Sequence, residues 1–361
     1  MSSLTKEQKD AIRGIVNNLG NEQFITLGGY AGTGKSTIIR VILEILEKKG
    51  LLFFPCAYTG KAANILRKKK INASTIHSCI YKPMKYSEEE TFWSLVDRNS
   101  LRGIDGFIVD EASMVSKEIH ADLCSFGLPI VYVGDHGQLE PIGTDFNLMK
   151  DPNYKLETVH RNAGEIAYFA EHLRMGKNAL LFPAKEKVQV VQTSAVEDKH
   201  LNMFDQVICA YNKTRVDLNS KARSNKGIDH TYIAIGEKVI CLKNNKPKGL
   251  FNGMQGTVLK VKKNYKMDFV SDGVYFEDIP YDPEQFGKET NCFNFSDTSN
   301  PFDYAYCITC HKAQGDQFNN LIVFEQKCNK WNHSRWAYTA ASRAVKSLVW
   351  ASADSFIPNY V

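Results

Sequence analysis

The 361-residue chain is short of the features that mark special protein classes. Its longest apolar run, Leu51 to Ala57, falls far below the ~20 residues a membrane-spanning helix needs. The opening MSSLTKEQKD has no apolar stretch of the signal-peptide type, so a cytoplasmic location is expected. There is no internal repeat and no low-complexity tract, and the balance of 43% hydrophobic and 24% charged residues excludes collagen-like, disordered and coiled-coil classes. Charge of one sign is scarce: 45 basic against 40 acidic residues leave +5, which is compatible with a polyanionic partner but does not demand one. Nine cysteines, an odd and scattered set, argue against a disulfide framework and for reduced, buried thiols. The length suits two domains with a small insert.

The pattern that is present alternates between strand and helix. Thr5 with Gln8 three residues later reads as a capping box, followed by an apolar face of Ala11, Ile12, Ile15, Val16 and Leu19 that Gly20 ends. A β-type run, Phe24 to Leu27, enters a glycine-rich loop. A helical pattern then carries Ile38, Ile39, Ile42, Ile45 and Leu46 and stops at Gly50. Short apolar runs at Leu51–Ala57, Phe107–Val109 and Ile130–Val133 read as buried parallel strands. A second α/β region is expected after a helix at Glu165–Met175, with strands at Gln206–Ala210 and Leu321–Phe324. Between these two strands lies a lysine-, glycine- and asparagine-rich stretch that reads as a small β-rich insert.

Gly29-Tyr30-Ala31-Gly32-Thr33-Gly34-Lys35-Ser36 fits GxxxxGK[ST], the Walker A loop, in the strand–loop–helix context the motif requires. Backbone N–H groups turned inward by the glycines, with a helix N-terminus behind them, suit phosphate oxygens. Lys35 would reach the β- and γ-phosphates, and Ser36 would ligate Mg²⁺. The loop alone does not choose between kinases, GTPases and motor ATPases. Phe107-Ile108-Val109-Asp110-Glu111 adds paired acids at a strand end: Asp110 for the Mg²⁺ shell, Glu111 to orient or deprotonate an attacking water. That pairing fits hydrolysis better than transfer to a small acceptor.

Gly134-Asp135-His136-Gly137-Gln138-Leu139-Glu140-Pro141 follows the next strand, and with it the series resembles the superfamily 1 helicases, in particular the RecD-like group that includes the phage Dda enzyme. The resemblance runs in the correct order over nearly the whole chain. Leu4-Thr5-Lys6-Glu7-Gln8 is similar to the Q motif, in which Gln8 would read the adenine edge, the capping box being its rival reading. With Gln8, the nucleotide-binding set is Gly29, Gly32, Thr33, Gly34, Lys35, Ser36 and Thr37. Ala57-Tyr58-Thr59-Gly60-Lys61 resembles motif Ia, with Thr59 and Lys61 on single-stranded DNA, although relatives usually carry proline where Tyr58 stands. Ala73-Ser74-Thr75-Ile76-His77-Ser78 is similar to the next DNA-contacting motif, where His77 would otherwise be a packed core histidine.

Gln138 matches the γ-phosphate sensor, and Glu140 stands where many relatives have proline. Leu156-Glu157-Thr158-Val159-His160-Arg161 resembles the motif whose arginine touches the γ-phosphate. Cys307-Ile308-Thr309-Cys310-His311 superficially fits the CxxCH haem-attachment pattern, but Thr309 to Phe318 resembles motif V, implying DNA contacts from His311, Lys312 and Gln314. Gln317 replaces the glutamate common in relatives. Tyr338-Thr339-Ala340-Ala341-Ser342-Arg343 resembles motif VI, making Arg343 an arginine finger. Gly236-Glu237-Lys238-Val239-Ile240 with Asn252-Gly253 and Gly256-Thr257-Val258 resembles the entry to a β-barrel insert in which Asn252 would meet DNA. Phe92 or Trp93 would be the wedge of a duplex-splitting pin, unless both simply pack.

The implied architecture is α/β: two RecA-like P-loop motor domains, with a short pin in the first and a small Src-homology-type barrel in the second. The expected boundaries are 1–175 for the first motor domain (pin at about 79–100), 176–240 with 301–361 for the second, and 241–300 for the insert. The implied catalytic set is Lys35, Asp110, Glu111, Gln138, Arg161 and Arg343, with ATP between the domains and Mg²⁺ on Ser36 and Asp110. The implied function is an ATP-dependent helicase moving 5′→3′ on single-stranded DNA, gripping alternately through motifs Ia and V. A translocase that strips bound proteins, a P-loop kinase and a non-catalytic DNA-binding subunit are the alternatives. Expected partners are single-stranded and forked duplex DNA, with single-strand-binding or replication proteins as further candidates, a monomeric state and no membrane. The setting would be replication, recombination or repair, in the host cytoplasm if the gene is phage-borne.

Overall fold

The computed structural model describes residues 4–85, 91–140, 146–160, 164–183, 185–228, 232–245, 248–290, 299–327 and 331–353. The chain divides into two compact units, Met1–Met84 with Trp93–Arg174, and Lys85–Phe92 with Met175–Val361.

In the first unit the elements run α1 (Lys6–Asn18), β1 (Phe24–Gly29), α2 (Lys35–Lys48), β2 (Phe53–Ala57), α3 (Gly60–Lys68), β3 (Ser74–Thr75), α4 (Ile76–Ile80), β4 (Tyr81–Lys85) and β5 (Thr91–Leu95). They continue with β6 (Gly106–Asp110), α5 (Lys117–Ser125), β7 (Ile130–Gly134), β8 (Tyr154–Leu156) and α6 (Glu165–Arg174). Strands β4 and β5 form a separate two-stranded sheet, while the others build a six-stranded sheet in the order β3-β2-β6-β7-β1-β8. Its pairings are parallel, with Gly28 opposite Gly134 and Ala57 opposite Asp110.

Burial on both faces explains the continuous apolar runs. Ile108 faces a core with Ile12, Ile15, Ile38, Ile39 and Ile42 of α1 and α2, whereas Phe107 and Val109 face the opposite core with Ile119, Leu123, Ile76 and Ile80. Each fully buried isoleucine contributes about 1.5–3 kcal/mol through the area it removes from water. The capping box at Thr5 forms as the sequence predicts, and Gly20 and Gly50 follow their helices at φ of 92° and 75°, which glycine adopts most readily.

The second unit contains β9 (Val188–Gln192), β10 (Gln206–Cys209), α7 (Asn212–Ser224), β11 (Lys238–Cys241), β12 (Gln255–Lys262), β13 (Lys266–Ser271), β14 (Val274–Pro280), β15 (Phe302–Tyr304), β16 (Cys307–Thr309), β17 (Phe318–Phe324), α8 (His333–Ala341) and β18 (Ala344–Ser352). A five-stranded parallel sheet, β16-β10-β17-β18-β9, is joined by a five-stranded antiparallel sheet, β14-β13-β12-β11-β15. The antiparallel sheet takes strands from Lys238 to Tyr304, and residues 291–298 of the expected insert lie outside the described residues. Arg223 marks its root: the guanidinium donates to both Glu237 oxygens at 2.7 and 3.3 Å and lies 4.0 Å over the Tyr304 ring. Among the described residues no helix is long and apolar enough to cross a membrane.

Candidate nucleotide and DNA site

Three strands of the first unit end side by side and each delivers a motif. The loop after β1 turns tightly because Gly32 and Gly34 take φ of 82° and 85°, while Thr33 closes it by donating from Oγ1 to the Tyr30 carbonyl at 2.8 Å. The Lys35 ammonium donates to the Gly29 and Tyr30 carbonyls at 2.6 and 3.1 Å and lies 3.8 Å from the buried Asp135 carboxylate. It is therefore tethered at the loop mouth by neutral acceptors that a phosphate oxygen outcompetes.

Gln8 has two roles on one side chain. Its Oε1 accepts from the Thr5 N–H, completing the cap, and its Nε2 donates to the Thr33 carbonyl at 3.0 Å and lies 2.6 Å from His160 Nε2. His160 also bonds the loop through its backbone N–H to the Gly32 carbonyl. Gln8 thus braces the phosphate loop from behind as well as capping α1.

At the end of β6, burial and the neighbouring Glu111 push the Asp110 carboxyl up to about 6, against the pull of Lys35 and Lys69. Glu111 takes φ 55°, a left-handed conformation that costs a non-glycine residue energy. Ser36 Oγ accepts a hydrogen bond from Lys69 Nζ at 2.9 Å. Burial lowers the Lys69 pKa, and Asp110 opposes that shift. A hydroxyl and a carboxylate with a cation already drawn to them are a hard-oxygen donor pair that fits Mg²⁺, which keeps several waters and takes few protein ligands. No cluster of three or more His, Cys, Asp or Glu that could hold a metal occurs among the described residues.

Behind β7, Gln138 Nε2 donates to Asp135 Oδ2 at 3.2 Å, and its buried Oε1 has no partner among the described residues. His136 is half-buried, its two buried ring nitrogens have no hydrogen-bond partner among the described residues, and its ring lies 4.2 Å from that of Tyr30, over which the Arg174 guanidinium also sits at 3.9 Å. The sequence reading did not single out Lys69, Asp135 or His160 as site residues. Asp135 and His160 at least lie inside quoted motifs, whereas Lys69 is one of four consecutive cations, Arg67 to Lys70, with nothing to distinguish it.

Motif Ia begins at the N-terminus of α3, where Thr59 Oγ1 accepts from the Ala62 N–H at 3.1 Å. His77 on α4 is half-buried beside Tyr81 and Tyr58, at ring distances of 5.4 and 6.3 Å. Arg161 lies outside the described residues, as do the side chains of Lys61, Phe92 and Trp93.

In the second unit the motif V loop is tied to the antiparallel sheet. Lys312 Nζ donates to Asn252 Oδ1 at 2.5 Å, bringing two expected DNA contacts together, and Gln255 Nε2 donates to Asp316 Oδ2 at 2.8 Å. Burial lowers the pKa of both His311 and Lys312. Gln314 lies in the same loop, its backbone N–H directed to the His311 carbonyl. Arg343 is 4% exposed, and its guanidinium donates to the Thr339 and Asp316 carbonyls and to Ser342 Oγ at 3.1, 3.4 and 3.0 Å. Cys307 and Cys310 are fully buried, which leaves no room for the thioether attachment their spacing superficially suggested.

The AAA domain family model matches residues 3–195, and the UvrD-like helicase C-terminal domain matches residues 304–350. The chain is 26% identical to the ATP-dependent RecD2 DNA helicase of Deinococcus radiodurans, over 91% of this chain and 47% of that protein. It is 24% identical to the ATP-dependent DNA helicase Pif1 of Campylobacter jejuni, with 82% of each covered. The fold is similar to that of Bacteroides Pif1 bound to ssDNA, with a TM-score of 0.56, 19% identity and 100% and 95% of the two chains covered. The chain spans 30% to 47% of the length of the first three curated relatives it matches.

Proposed function

This chain belongs to the AAA domain family and, within it, to the superfamily 1 helicases of the RecD/Pif1 kind, and on that premise we propose that it is an ATP-driven DNA helicase. The observation that carries the reading is the meeting of Lys35, Ser36, Asp110 and Gln138 at adjacent ends of β1, β6 and β7, where α/β sheets bind ligands. Lys35 exchanges its carbonyl tethers for the β- and γ-phosphates, and Gln138 senses the γ-phosphate. Glu111 orients the attacking water as its base. Bound Mg²⁺, held by Ser36 and Asp110, would neutralise charge on the phosphate oxygens. Arg161 and Arg343 supply positive charge to the γ-phosphate, with Gln8 on the adenine edge.

Thr59, Lys61 and His77 of the first unit, with Asn252, His311, Lys312 and Gln314 of the second, hold single-stranded DNA. The strand passes 5′→3′, as the RecD-like resemblance implies. The β4–β5 ribbon acts as a pin with Phe92 or Trp93 as its wedge, and the antiparallel sheet guides the strand as a small barrel. Forked duplexes with 5′ or 3′ tails, followed for unwinding with ATP hydrolysis in parallel, test the reading. Unwinding from the 5′ tail alone is the expected result. Hydrolysis stimulated by single-stranded DNA without unwinding would favour a protein-stripping translocase, and a flat response to DNA would reject both. In that assay, Phe92→Ala with Trp93→Ala should impair unwinding more than translocation.

A further inference from the structure

The ammonium of Lys69 stands at the Ser36 hydroxyl, the same oxygen that the ATP reading assigns to the divalent cation, and no step of that mechanism uses it. Its place is fixed by the end of α3. The Lys69 N–H bonds back to the Ile65 and Leu66 carbonyls at 3.3 and 2.9 Å, and Lys70 turns the chain at φ 65°. Ile71 then bonds to the Leu66 carbonyl at 3.0 Å, and its side chain is buried. This closed turn sets the direction in which the Lys69 side chain leaves the helix. It donates to Ser36 Oγ at 2.9 Å, with Asp110 as its electrostatic partner and Lys35 as its opponent. A metal ion on the same hydroxyl would lie within a few ångströms of that ammonium, and like charges so close repel.

We propose that Lys69 is a built-in stand-in for the nucleotide's divalent cation: its ammonium holds the Ser36 hydroxyl and balances the Asp110 carboxylate in the nucleotide-free protein, and leaves when the metal–nucleotide complex arrives. The proposal rests on the ATP reading of the loop. Lys69 therefore competes with the metal for the Ser36 hydroxyl, lowering its apparent affinity. Because Thr59 caps the start of α3 and Lys69 its end, the displaced cation and the candidate DNA contact flank one helix about 13 Å long.

The test is a Mg²⁺ titration of the binding of a fluorescent ADP analogue to the wild type, Lys69→Gln and Lys69→Arg, with melting temperatures measured in chelator and with Mg²⁺–ADP. For Lys69→Gln the Mg²⁺ concentration at half-saturation should fall about 5-fold, the size expected from removing one partly screened like charge. Its melting temperature should drop in chelator and return to the wild-type value with Mg²⁺–ADP. Lys69→Arg, which keeps the charge, should need as much Mg²⁺ as the wild type. A wild type with clear Mg²⁺ dependence that Lys69→Gln leaves unshifted, or shifts upward, overturns this assignment alone, as does a 5-fold fall in Lys69→Arg. A wild type whose nucleotide binding ignores Mg²⁺ overturns the ATP reading and the assignment together.

Discussion

The two units hold their key cations in opposite ways. In the first, Lys35 rests at the mouth of a loop on two carbonyl tethers and a buried carboxylate at 3.8 Å, half open to an incoming anion. In the second, Arg343 is enclosed and spends its donors on Thr339, Asp316 and Ser342 of its own unit. A cation kept at an open mouth is organised for binding. One satisfied internally must give up those bonds before it can act on a ligand, so binding and hydrolysis become separable steps.

Removing each cation tests that contrast most strongly. Lys35→Ala should lose ATP binding and cut hydrolysis by about 10³-fold or more, measured with a fluorescent nucleotide and a phosphate-release assay. Arg343→Ala should keep nucleotide binding and lose a similar ~10³-fold or more in kcat. It should also destabilise the protein by about 1–3 kcal/mol, because the hydrogen bonds of a buried guanidinium to the Thr339 and Asp316 carbonyls and to Ser342 Oγ are lost. A variant with unchanged kcat but lowered stability would reduce Arg343 to a structural residue and break the comparison.

A pH series probes the first unit alone. Because the folded Asp110 carboxyl is raised from 3.8 to about 6, the penalty of ionising it is present above about 6 and disappears as pH falls toward 3.8. Asp110→Asn should therefore stabilise the metal-free protein by about 1–3 kcal/mol at pH 8, with the gain gone near pH 4, as read by denaturant melts. The smallest effect is expected at the tie between motif V and the antiparallel sheet. Gln255→Leu removes one hydrogen bond to Asp316, the residue whose carbonyl also holds Arg343. DNA-stimulated hydrolysis should fall about 3- to 10-fold with the DNA-free rate unchanged, the size of one hydrogen bond. Equal loss of both rates would show that the tie is only structural.

Much of the first unit could be read from the chain because its signals are local. A Walker loop, a capping box and strand-end acids each lie within a few residues, and two-sided burial makes parallel strands appear as unbroken apolar runs. What escaped was set by contacts distant in sequence. No spacing rule reveals that the Gln8 amide serves a helix cap and a loop 25 residues away, or that one lysine among four consecutive cations reaches Ser36. In the second unit, β9, β16 and β18 went unnamed because polar residues such as Gln189, Thr309, Lys346 and Ser347 interrupt their apolar runs. The antiparallel sheet begins at Lys238 and ends at Tyr304 because the alternating pattern merges at both edges into fully buried strands.

The root of that sheet has an evolutionary consequence. The chain enters the sheet beside Glu237 and leaves it at Tyr304, and one guanidinium, Arg223, holds both points at once. A junction clamped on entry and exit, with Asn252 and Gln255 tying the middle of the sheet to the motif V loop, confines tolerated change to the strand positions that make none of these contacts.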